Sequence, residues 1–297
     1  MTRAFGVSPG TGTSDEHLSR ESQAARPHTV KSAVKVSLRG YAQAFVVLLL
    51  AVTAALGATL ATASPAEAAN FTVTKTADTS DGGCDADCSL REAVIAANTT
   101  PGVDMITVPA GTYTLTIQGA NEDQSATGDL DISEEVTING AGSDATTVSA
   151  AGLGDRVFDV VNDSDATITG LTASGGNPPA DPSRVNAPFG GGISNFGMGE
   201  LELNEVVVSE NTAPTSAAGF AGFGGGITNL GGTLTLTGST VSGNSADAFG
   251  GGIFNRDGVL KLTDSTVSDN VSSSGGGIFN SFSTTVVIHV SSTPLRL

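Results

Sequence analysis

Two stretches decide the fold of this chain: residues 224–244 read GGGITNLGGTLTLTGSTVSGN, and residues 250–270 read GGGIFNRDGVLKLTDSTVSDN. Their opening motif, GGGI-x-N, begins at residues 190, 224, 250 and 275, so the intervals are 34, 26 and 25 residues. A repeat near 25 residues, with short strands and no helical pattern, is typical of one coil of a β-solenoid. A β-propeller blade needs about 40 residues, and this spacing is too short for one.

The hydrophobic pattern inside each repeat indicates which side chains face the core. Leu234 and Leu236 alternate with threonines, and Leu260 and Leu262 repeat the pattern in the next unit. Such alternation places the leucines on one face of a strand and the polar residues on the other. Because repeat units bury that face against their neighbours, the sequence predicts an all-β chain. We expect a right-handed parallel β-helix, or single-stranded β-solenoid, over residues 119–297.

Asparagine recurs at two fixed turn positions, and phenylalanine precedes three of the glycine triplets. Each asparagine series predicts a ladder of stacked side-chain amides, and the phenylalanines are expected to stack as well. We favour a structural role for these series over ligand binding, because repeat units must bury their faces against neighbours. The two ladders and the aromatic series are Asn195, Asn229, Asn255 and Asn280; Asn177, Asn211, Asn244 and Asn270; and Phe189, Phe223 and Phe249.

Residues 1–68 are predicted to be a secretory signal peptide. Residues 42–63 carry no charge, basic residues precede them, and Ala66 and Ala68 form the A-x-A site that a signal peptidase reads. Cleavage is expected after Ala68, which would leave no membrane span. The alternative is a retained anchor, because this apolar stretch of 22 residues could cross a bilayer of about 30 Å.

The charge of the chain excludes one class of partner. It has 30 acidic and 13 basic residues, a net charge of −17. Removal of the leader, which holds four of the acidic and six of the basic residues, would bring the net charge to about −19. Such a surface repels phosphates and contains no basic patch to meet them, so nucleic-acid binding is not expected.

The two cysteines, Cys84 and Cys88, are the only ones in the chain. In an exported protein, cysteines four residues apart are expected to form a disulfide that closes a small loop. The alternative is a metal site that adds Asp85 and Asp87. It is disfavoured because two thiolates lack the second Cys or His pair that such sites normally contain.

Residues 88–98 predict one helix after the leader. Ser89 and Glu92 have the spacing of a capping box, and an apolar stripe with helical periodicity follows them. Such a helix, laid across the first coil, would close the exposed end of a solenoid, so residues 69–118 are predicted to be an N-terminal cap. Arg91 and Glu92 are interpreted as capping and a surface ion pair. The stripe comprises Leu90, Ala93, Val94 and Ala97.

The same segment resembles a known family. Residues 88–93 read CSLREA, the motif that names the CSLREA domain of exported bacterial proteins. The surrounding FTVTKTADTSDGGCDADCSLREAVIAAN and the later DMITVPAGTYTLTI are similar to that domain, and the downstream units look like the β-helix repeats that follow it. The resemblance covers residues 71–280 and implies export and a β-helix, with no established reaction. Some relatives are large surface or adhesin-like proteins, and pectate lyases and polygalacturonases share the fold.

The sequence offers no convincing catalytic set, so we assign no catalytic or metal-binding residue. His289 is the only histidine after the leader, which argues against Ser-His-Asp or Cys-His chemistry. Acid pairs such as Asp129 with Asp131, or Asp264 with Asp269, are interpreted as solvated surface, with a glycosidase pair as the alternative. No cofactor is expected, and calcium is left open without a motif to support it.

Two longer insertions occupy the same turn of successive coils and mark a candidate binding face. Residues 178–189 read PPADPSRVNAPF, and residues 212–223 read TAPTSAAGFAGF. Insertions on one face of a repeat protein often form its binding surface, while the alternative is that they are tolerated surface loops. The residues expected to contact a ligand there are Asp181, Arg184, Asn186 and Phe220.

Together these patterns predict a secreted or cell-surface protein, non-catalytic and adhesin-like, that binds polysaccharide or other cell-surface ligands. A polysaccharide lyase or glycoside hydrolase is the alternative. After its GGGIFNS opening the fourth unit reads FSTTVVIHVSSTPLRL, without the usual alternating segment that ends in Ser-x-Asn. We therefore expect a truncated solenoid whose uncapped last coil is available for self-association.

Overall fold

Residues 67–180, 187–282 and 285–289 are described in this computed structural model. The predicted signal peptide therefore lies outside the described residues, apart from Glu67 and Ala68. All the described residues belong to one compact unit.

The described chain is built of short strands and one helix. The helix, α1, is Leu90–Ala97. The strands are β1 (Asn70–Thr72), β2 (Asp104–Val108), β3 (Gly111–Thr114), β4 (Leu130–Ile132), β5 (Val136–Gly140), β6 (Thr146–Ser149), β7 (Phe158–Val160), β8 (Ala166–Thr169), β9 (Thr172–Ser174), β10 (Ile193–Asn204), β11 (Val207–Ser209), β12 (Thr212–Ala213), β13 (Ile227–Thr237), β14 (Thr240–Ser242), β15 (Ser245–Phe249), β16 (Ile253–Arg256), β17 (Val259–Thr263), β18 (Thr266–Ser268), β19 (Val271–Ser274), β20 (Ile278–Ser281) and β21 (Thr285–His289).

The strands form three sheets, and every described strand pair is parallel. The largest sheet has twelve strands, in which β1, β2, β5, β8, β10, β13, β16 and β20 follow in order and β4, β7, β17 and β21 pair alongside. A second sheet contains β3, β6, β9, β11, β14 and β18, and a third contains β12, β15 and β19. The chain visits the sheets in turn and returns one strand further along each. This all-β arrangement is compatible with a β-solenoid.

Identical residues stack on one another between successive coils. Ile227 pairs with Ile193 on one side and with Ile253 on the other, in register. Leu234 and Leu236 of β13 pair in the same way with the leucines of β10 and β17. These side chains are fully or almost fully buried, as the alternation predicts, and belong to one continuous core. Burial of a leucine or isoleucine side chain stabilises the fold by about 1.5–3 kcal/mol.

The last unit departs from the sequence prediction. Its tail was expected to lack an alternating strand, but residues 285–289 form β21, in which Val286 and Ile288 lie over Leu260 and Leu262. The prediction was wrong because the two hydrophobic side chains preserve the inward positions although the Ser-x-Asn ending is missing. Val286 and Ile288 are exposed in the described chain. Self-association through this coil stays a prediction.

Each asparagine series is hydrogen-bonded from coil to coil. In the first, the side-chain amides of Asn195, Asn229 and Asn255 each donate to the side-chain oxygen of the next asparagine, at 2.8, 2.7 and 2.6 Å, and Asn280 accepts the last bond. Each amide also donates to a carbonyl in its own turn, as Asn229 does to Gly232 O at 2.9 Å. Buried polar side chains thereby satisfy one another along the stack.

The second ladder begins one residue earlier than predicted. Asn211 donates to Asn244 at 2.9 Å and Asn244 to Asn270 at 3.0 Å. The rung before Asn211 is Gly176, whose backbone N–H donates to Asn211 Oδ1 at 2.9 Å. Asn177 was placed at this rung by its sequence position, but it lies one residue beyond because the register aligns Ser174 with Ser209. The backbone N–H groups of Asn211 and Asn244 make the same bond to the next rung, so the Gly176 rung keeps the backbone bond and lacks only the side-chain amide.

Phenylalanine rings form a second, smaller apolar cluster outside the main core. Phe189, Phe223 and Phe249 stack as predicted, with ring centroids 5.2 and 5.7 Å apart. Phe254 and Phe279, which alternate with the core isoleucines and therefore point outward, stack at 5.8 Å and complete the cluster. Sequence reasoning missed this second pair, although the identical GGGIFN motifs contain it.

The N-terminal part joins this framework through helix α1. The capping box that the sequence predicts is present: Ser89 Oγ accepts the Glu92 N–H at 3.1 Å, and Glu92 Oε2 accepts the Ser89 N–H at 2.7 Å. The apolar stripe is buried and packs against β1, β2 and β4. Cys84 and Cys88 lie at disulfide-bonding distance beside it.

Replacing Asn229 by alanine is expected to destabilise the fold by about 2–4 kcal/mol, because it leaves a buried donor and a buried acceptor on neighbouring coils without partners. Asn280→Ala is the matched control, since Asn280 is exposed and receives a single ladder bond. Urea unfolding followed by circular dichroism measures both. Equal urea midpoints for the two variants would show that the ladder bonds of Asn229 do not stabilise the fold.

Candidate functional site

The candidate binding face is only partly described. Asp181, Arg184 and Asn186 lie outside the described residues. Phe220 is described and half exposed, in a small turn where its N–H donates to Ser216 Oγ at 3.1 Å and its carbonyl accepts from Ser216 N at 2.7 Å. The structure therefore leaves the predicted ligand contacts untested, apart from showing that Phe220 is accessible.

A cleft of about 530 Å³ lies between the two insertions that the sequence marks. The described residues that line it carry no charge and are mostly proline, alanine and small hydroxyl residues. Proline fixes its own φ angle, which restricts the backbone conformations open to the walls of this cleft. The lining prolines are Pro178, Pro179, Pro188 and Pro214.

A second group of functional candidates, the acid pair Asp129 and Asp131, is not solvated as expected. Leu130 and Ile132 of β4 face the core, and the two aspartates alternate with them on the outer face of the strand, yet both carboxyl groups are buried. The prediction of a solvated surface was wrong because residues 119–128, which we call the covering loop, fold back over this face. Ser125 in that loop donates its N–H to Asp131 Oδ2 at 2.7 Å.

The covering loop is held down by Arg91, which was interpreted as part of a surface ion pair. The structure corrects this interpretation, since the Arg91 guanidinium is fully buried. It donates to the carbonyls of Ser125 and Gly128 at 2.8 and 2.7 Å and pairs with Asp78 at 2.8 Å. Arg91, which lies between the capping-box residues Ser89 and Glu92, thus holds the covering loop over Asp129 and Asp131.

The next coil adds two more buried carboxyl groups and a single cation. Asp159 of β7 lies in register with Asp131, and Asp155 precedes the same strand. Arg156 is itself buried and forms an ion pair with Asp159. Its Nη1 atom also lies 3.2 Å from Oδ2 of Asp129. We call these four aspartates and Arg156 the buried acid cluster. No role for Arg156 was predicted from the sequence. Its one sequence signal is that acidic residues lie close to it, at positions 155 and 159.

The electrostatics of the cluster favour proton uptake. Burial in an apolar environment raises the pKa of Asp131 to about 8, and it also raises the pKa of Asp129 and of Asp155. Oδ1 of Asp131 and Oδ2 of Asp155 accept no hydrogen bond from the described residues. One guanidinium cannot neutralise four carboxylates, and carboxylates that are removed from water favour the neutral, protonated form.

The same region contains a set of carboxylates that could share a cation. Oxygen atoms of Asp123, Asp131 and Asp159 lie within 4.8 Å of one another. Carboxylate oxygens are the ligands that calcium prefers, so the residue types fit. Proton uptake by Asp131 and cation binding there are competing ways to compensate the same buried charge.

The other acid pair has a conformational explanation. Asp264 and Asp269 flank β18 and have φ angles of 50° and 55°, in the left-handed region. The equivalent positions of the preceding coil are Gly238 and Gly243, also with positive φ. Aspartate tolerates this conformation better than most residues with a side chain. One coil earlier the matched positions are Glu205 and Glu210, with φ angles of 56° and 58°, so this left-handed turn conformation is kept while the residue type varies.

Comparison with known proteins returned no match to a family model, a curated protein or a solved structure. Among the described residues no helix is long and apolar enough to cross a membrane.

Replacing Arg156 by methionine is expected to cost about 3–5 kcal/mol, because it removes the cation of the buried acid cluster and leaves the Asp159 and Asp129 carboxyl groups without their ion-pair partner. Arg256→Met is the matched control, since that guanidinium is exposed and pairs with an exposed Asp257. Denaturant midpoints at pH 7 measure the difference. A loss no larger than that of the control would show that Arg156 does not stabilise the cluster.

The buried acid cluster also predicts a pH dependence. Between about pH 4 and pH 8 the Asp131 carboxyl is protonated in the folded chain and ionised in the unfolded one. The folded state then binds more protons, so the free energy of unfolding falls as pH rises through this window, by up to about 1.4 kcal/mol per pH unit. Asp131→Asn is expected to flatten the slope in urea unfolding at pH 5, 7 and 9.

Asp144→Asn controls for the change in net charge, because Asp144 is exposed. Calcium and a chelator are expected to leave the slope of the unmodified protein unchanged. A calcium-dependent gain in stability that Asp131→Asn abolishes would show instead that the carboxylates hold a cation.

Proposed function

We propose that the protein is exported and acts as a non-catalytic binding module outside the cell or at its surface, adhesin-like, with neutral glycans as its ligands. The fold in this proposal is a right-handed parallel β-helix of the CSLREA type. Right-handed crossovers between parallel strands are the strongly preferred hand. Helix α1 closes its N-terminal end, an assignment supported by the buried stripe that α1 packs against β1, β2 and β4.

The observation that carries the proposal is the burial of Asp129 and Asp131, one of the two acid pairs weighed for glycosidase chemistry. Asp131 is 0 % exposed and Asp129 2 % exposed, beneath a covering loop that Arg91 fastens. A glycosidic bond must reach its carboxyl groups within a few ångströms, and a polymer has no access to these. Asp131 accepts the Ser125 N–H and Asp129 pairs with Arg156, so these carboxyl groups connect the covering loop and two coils, which is a structural role.

The ligand class follows from the charge and from the cleft. A chain with a net charge of −17 repels acidic polysaccharides, the substrates of pectate-lyase-like enzymes. The cleft between the insertions has an uncharged described lining of rigid prolines and small hydroxyl residues. Such a surface offers apolar contacts and a few polar groups to a neutral sugar. Because its prolines have a restricted backbone, the cleft loses little conformational entropy on binding.

The proposal is tested with the secreted full-length gene product and a panel of neutral polysaccharides, with a polyuronate as the acidic comparison. We expect binding of a neutral glycan without release of reducing ends or unsaturated sugars. Ala217→Trp, which fills the cleft, should weaken the measured affinity at least about tenfold, equivalent to 1.4 kcal/mol. Isothermal calorimetry measures the dissociation constants.

Ala145→Trp is the matched control, since Ala145 is exposed and does not line the cleft. It should leave the affinity unchanged. Calcium-dependent release of sugars that Asp131→Asn abolishes would overturn the proposal in favour of a lyase or hydrolase. Binding to no glycan, with the chain folded, would also overturn it.

A further inference from the structure

Asp104 is a buried carboxylate without a counter-ion among the described residues. It lies on the core-facing side of β2 with Ile106 and Val108 and is 1 % exposed. Its Oδ1 accepts a hydrogen bond from the backbone nitrogen of Ala69 at 2.7 Å, while its Oδ2 is buried and accepts none. A carboxylate removed from water in this way is costly unless a cation compensates it.

The one described donor to the Asp104 carboxylate, the backbone nitrogen of Ala69, lies at the predicted cleavage site. Ala69 directly follows the A-x-A site formed by Ala66 and Ala68. In the uncleaved chain its nitrogen is a neutral amide, which offers a single hydrogen. A signal peptidase would act on the bond that this nitrogen makes with Ala68.

We propose that Asp104 is the receptor for the amino terminus that cleavage between Ala68 and Ala69 creates. The inference rests on the export part of the proposed function and is independent of glycan binding. Water adds across the peptide bond: Ala68 leaves with a carboxylate and Ala69 retains the nitrogen as an amine, which takes up a proton at neutral pH. The resulting ammonium has three donors, enough to satisfy both Asp104 oxygens.

The position of Ala69 does not depend on the leader. Its carbonyl accepts from Met105 N at 2.9 Å, and the next residue, Asn70, pairs in register with Met105 in the β1–β2 ladder. Glu67 and Ala68 are exposed and cross the turn at Gly102, where a Cβ would lie 3.1 Å from the Ala68 nitrogen. Cleavage therefore changes the charge at this nitrogen and leaves the path of β1 in place.

A charge created at this point stabilises the first strand of the large sheet. The precursor buries an uncompensated carboxylate, and the mature chain buries an ion pair at the same place. The mature form is therefore more stable than the precursor, so removal of the leader completes the N-terminal edge of the fold.

The experiment uses the full-length gene product secreted with its own leader. Intact mass and N-terminal sequencing should give a chain that begins at Ala69. The pH dependence of trace acetylation by acetic anhydride, read on the N-terminal peptide by mass spectrometry, then reports the pKa of the α-amino group. We expect it to lie at least one unit above the ordinary value of about 7.7–8.0, because the carboxylate stabilises the ammonium.

Asp104→Asn should return the α-amino pKa to its ordinary value and lower the melting temperature by at least about 4 °C. Asp144→Asn, at an exposed position, is the matched control and should change neither. Since a raised folded-state pKa gives stability that is lost as pH rises through it, the unmodified protein should also lose stability between about pH 8 and pH 10. Asp104→Asn should not.

A mature chain that begins elsewhere, or that keeps its leader, overturns the proposal, and so does an ordinary α-amino pKa in the unmodified protein. If Asp104→Asn does not fold, the N-terminal sequence and the pKa of the unmodified protein still decide. A failure to bind glycans leaves these measurements unaffected, so the two proposals fail separately.

Discussion

Each coil of this protein lies on the next in register and parallel, and this stacking is the constraint on which the other features depend. In-register stacking places every side chain against the equivalent one of its neighbour. Isoleucine and leucine columns then form one continuous buried core. An asparagine in a buried turn is tolerated only because the next coil offers another to bond it. Close approach of the turns also demands glycine, since a Cβ on Gly225 would lie 2.3 Å from the Ser245 carbonyl oxygen.

The N-terminal coils are stabilised differently on their outer face, because they lack the GGGI-x-N and Ser-x-Asn motifs of the later repeats. Asp131 of β4 and Asp159 of β7 are enclosed there with Asp129 and Asp155, which precede these strands, and with the Arg156 guanidinium. Arg91 reaches from the helix to carbonyls of the covering loop, so α1, the loop and β4 are fastened by one side chain. Asn98 adds a second fastening at the end of the helix, where it bonds the Asp131 carbonyl and the Ser133 N–H. The core side chains of these coils still stack in register, and buried charge and polar bonds take the place of the asparagine ladders on the outer face.

Sequence alone predicted the features that repeat. The leucine alternation fixed the inward faces, and the capping box at Ser89 fixed the start of α1, because both depend on local spacing. The ladder position of Asn177 failed by one residue, since an extra glycine follows Ser174 there and only strand pairing reveals the slip. The burial of Asp129 and Asp131 could not be read locally, because their cover comes from a loop held by a helix more than thirty residues earlier in the chain. Residues 181–186, which carry most of the predicted ligand contacts, lie outside the described chain.

The asparagine ladder has a consequence for how such a chain can change its length. Each rung accepts from the coil before it and donates to the coil after it, so the upper and lower surfaces of a repeat are chemically equivalent. An in-frame duplication or deletion of one repeat would recreate the same contacts between neighbouring repeats, so no new core packing would be required. Recombination between near-identical gene segments can therefore lengthen or shorten the parallel sheets by whole repeats, while insertions such as residues 212–223 vary the surface of one repeat at a time.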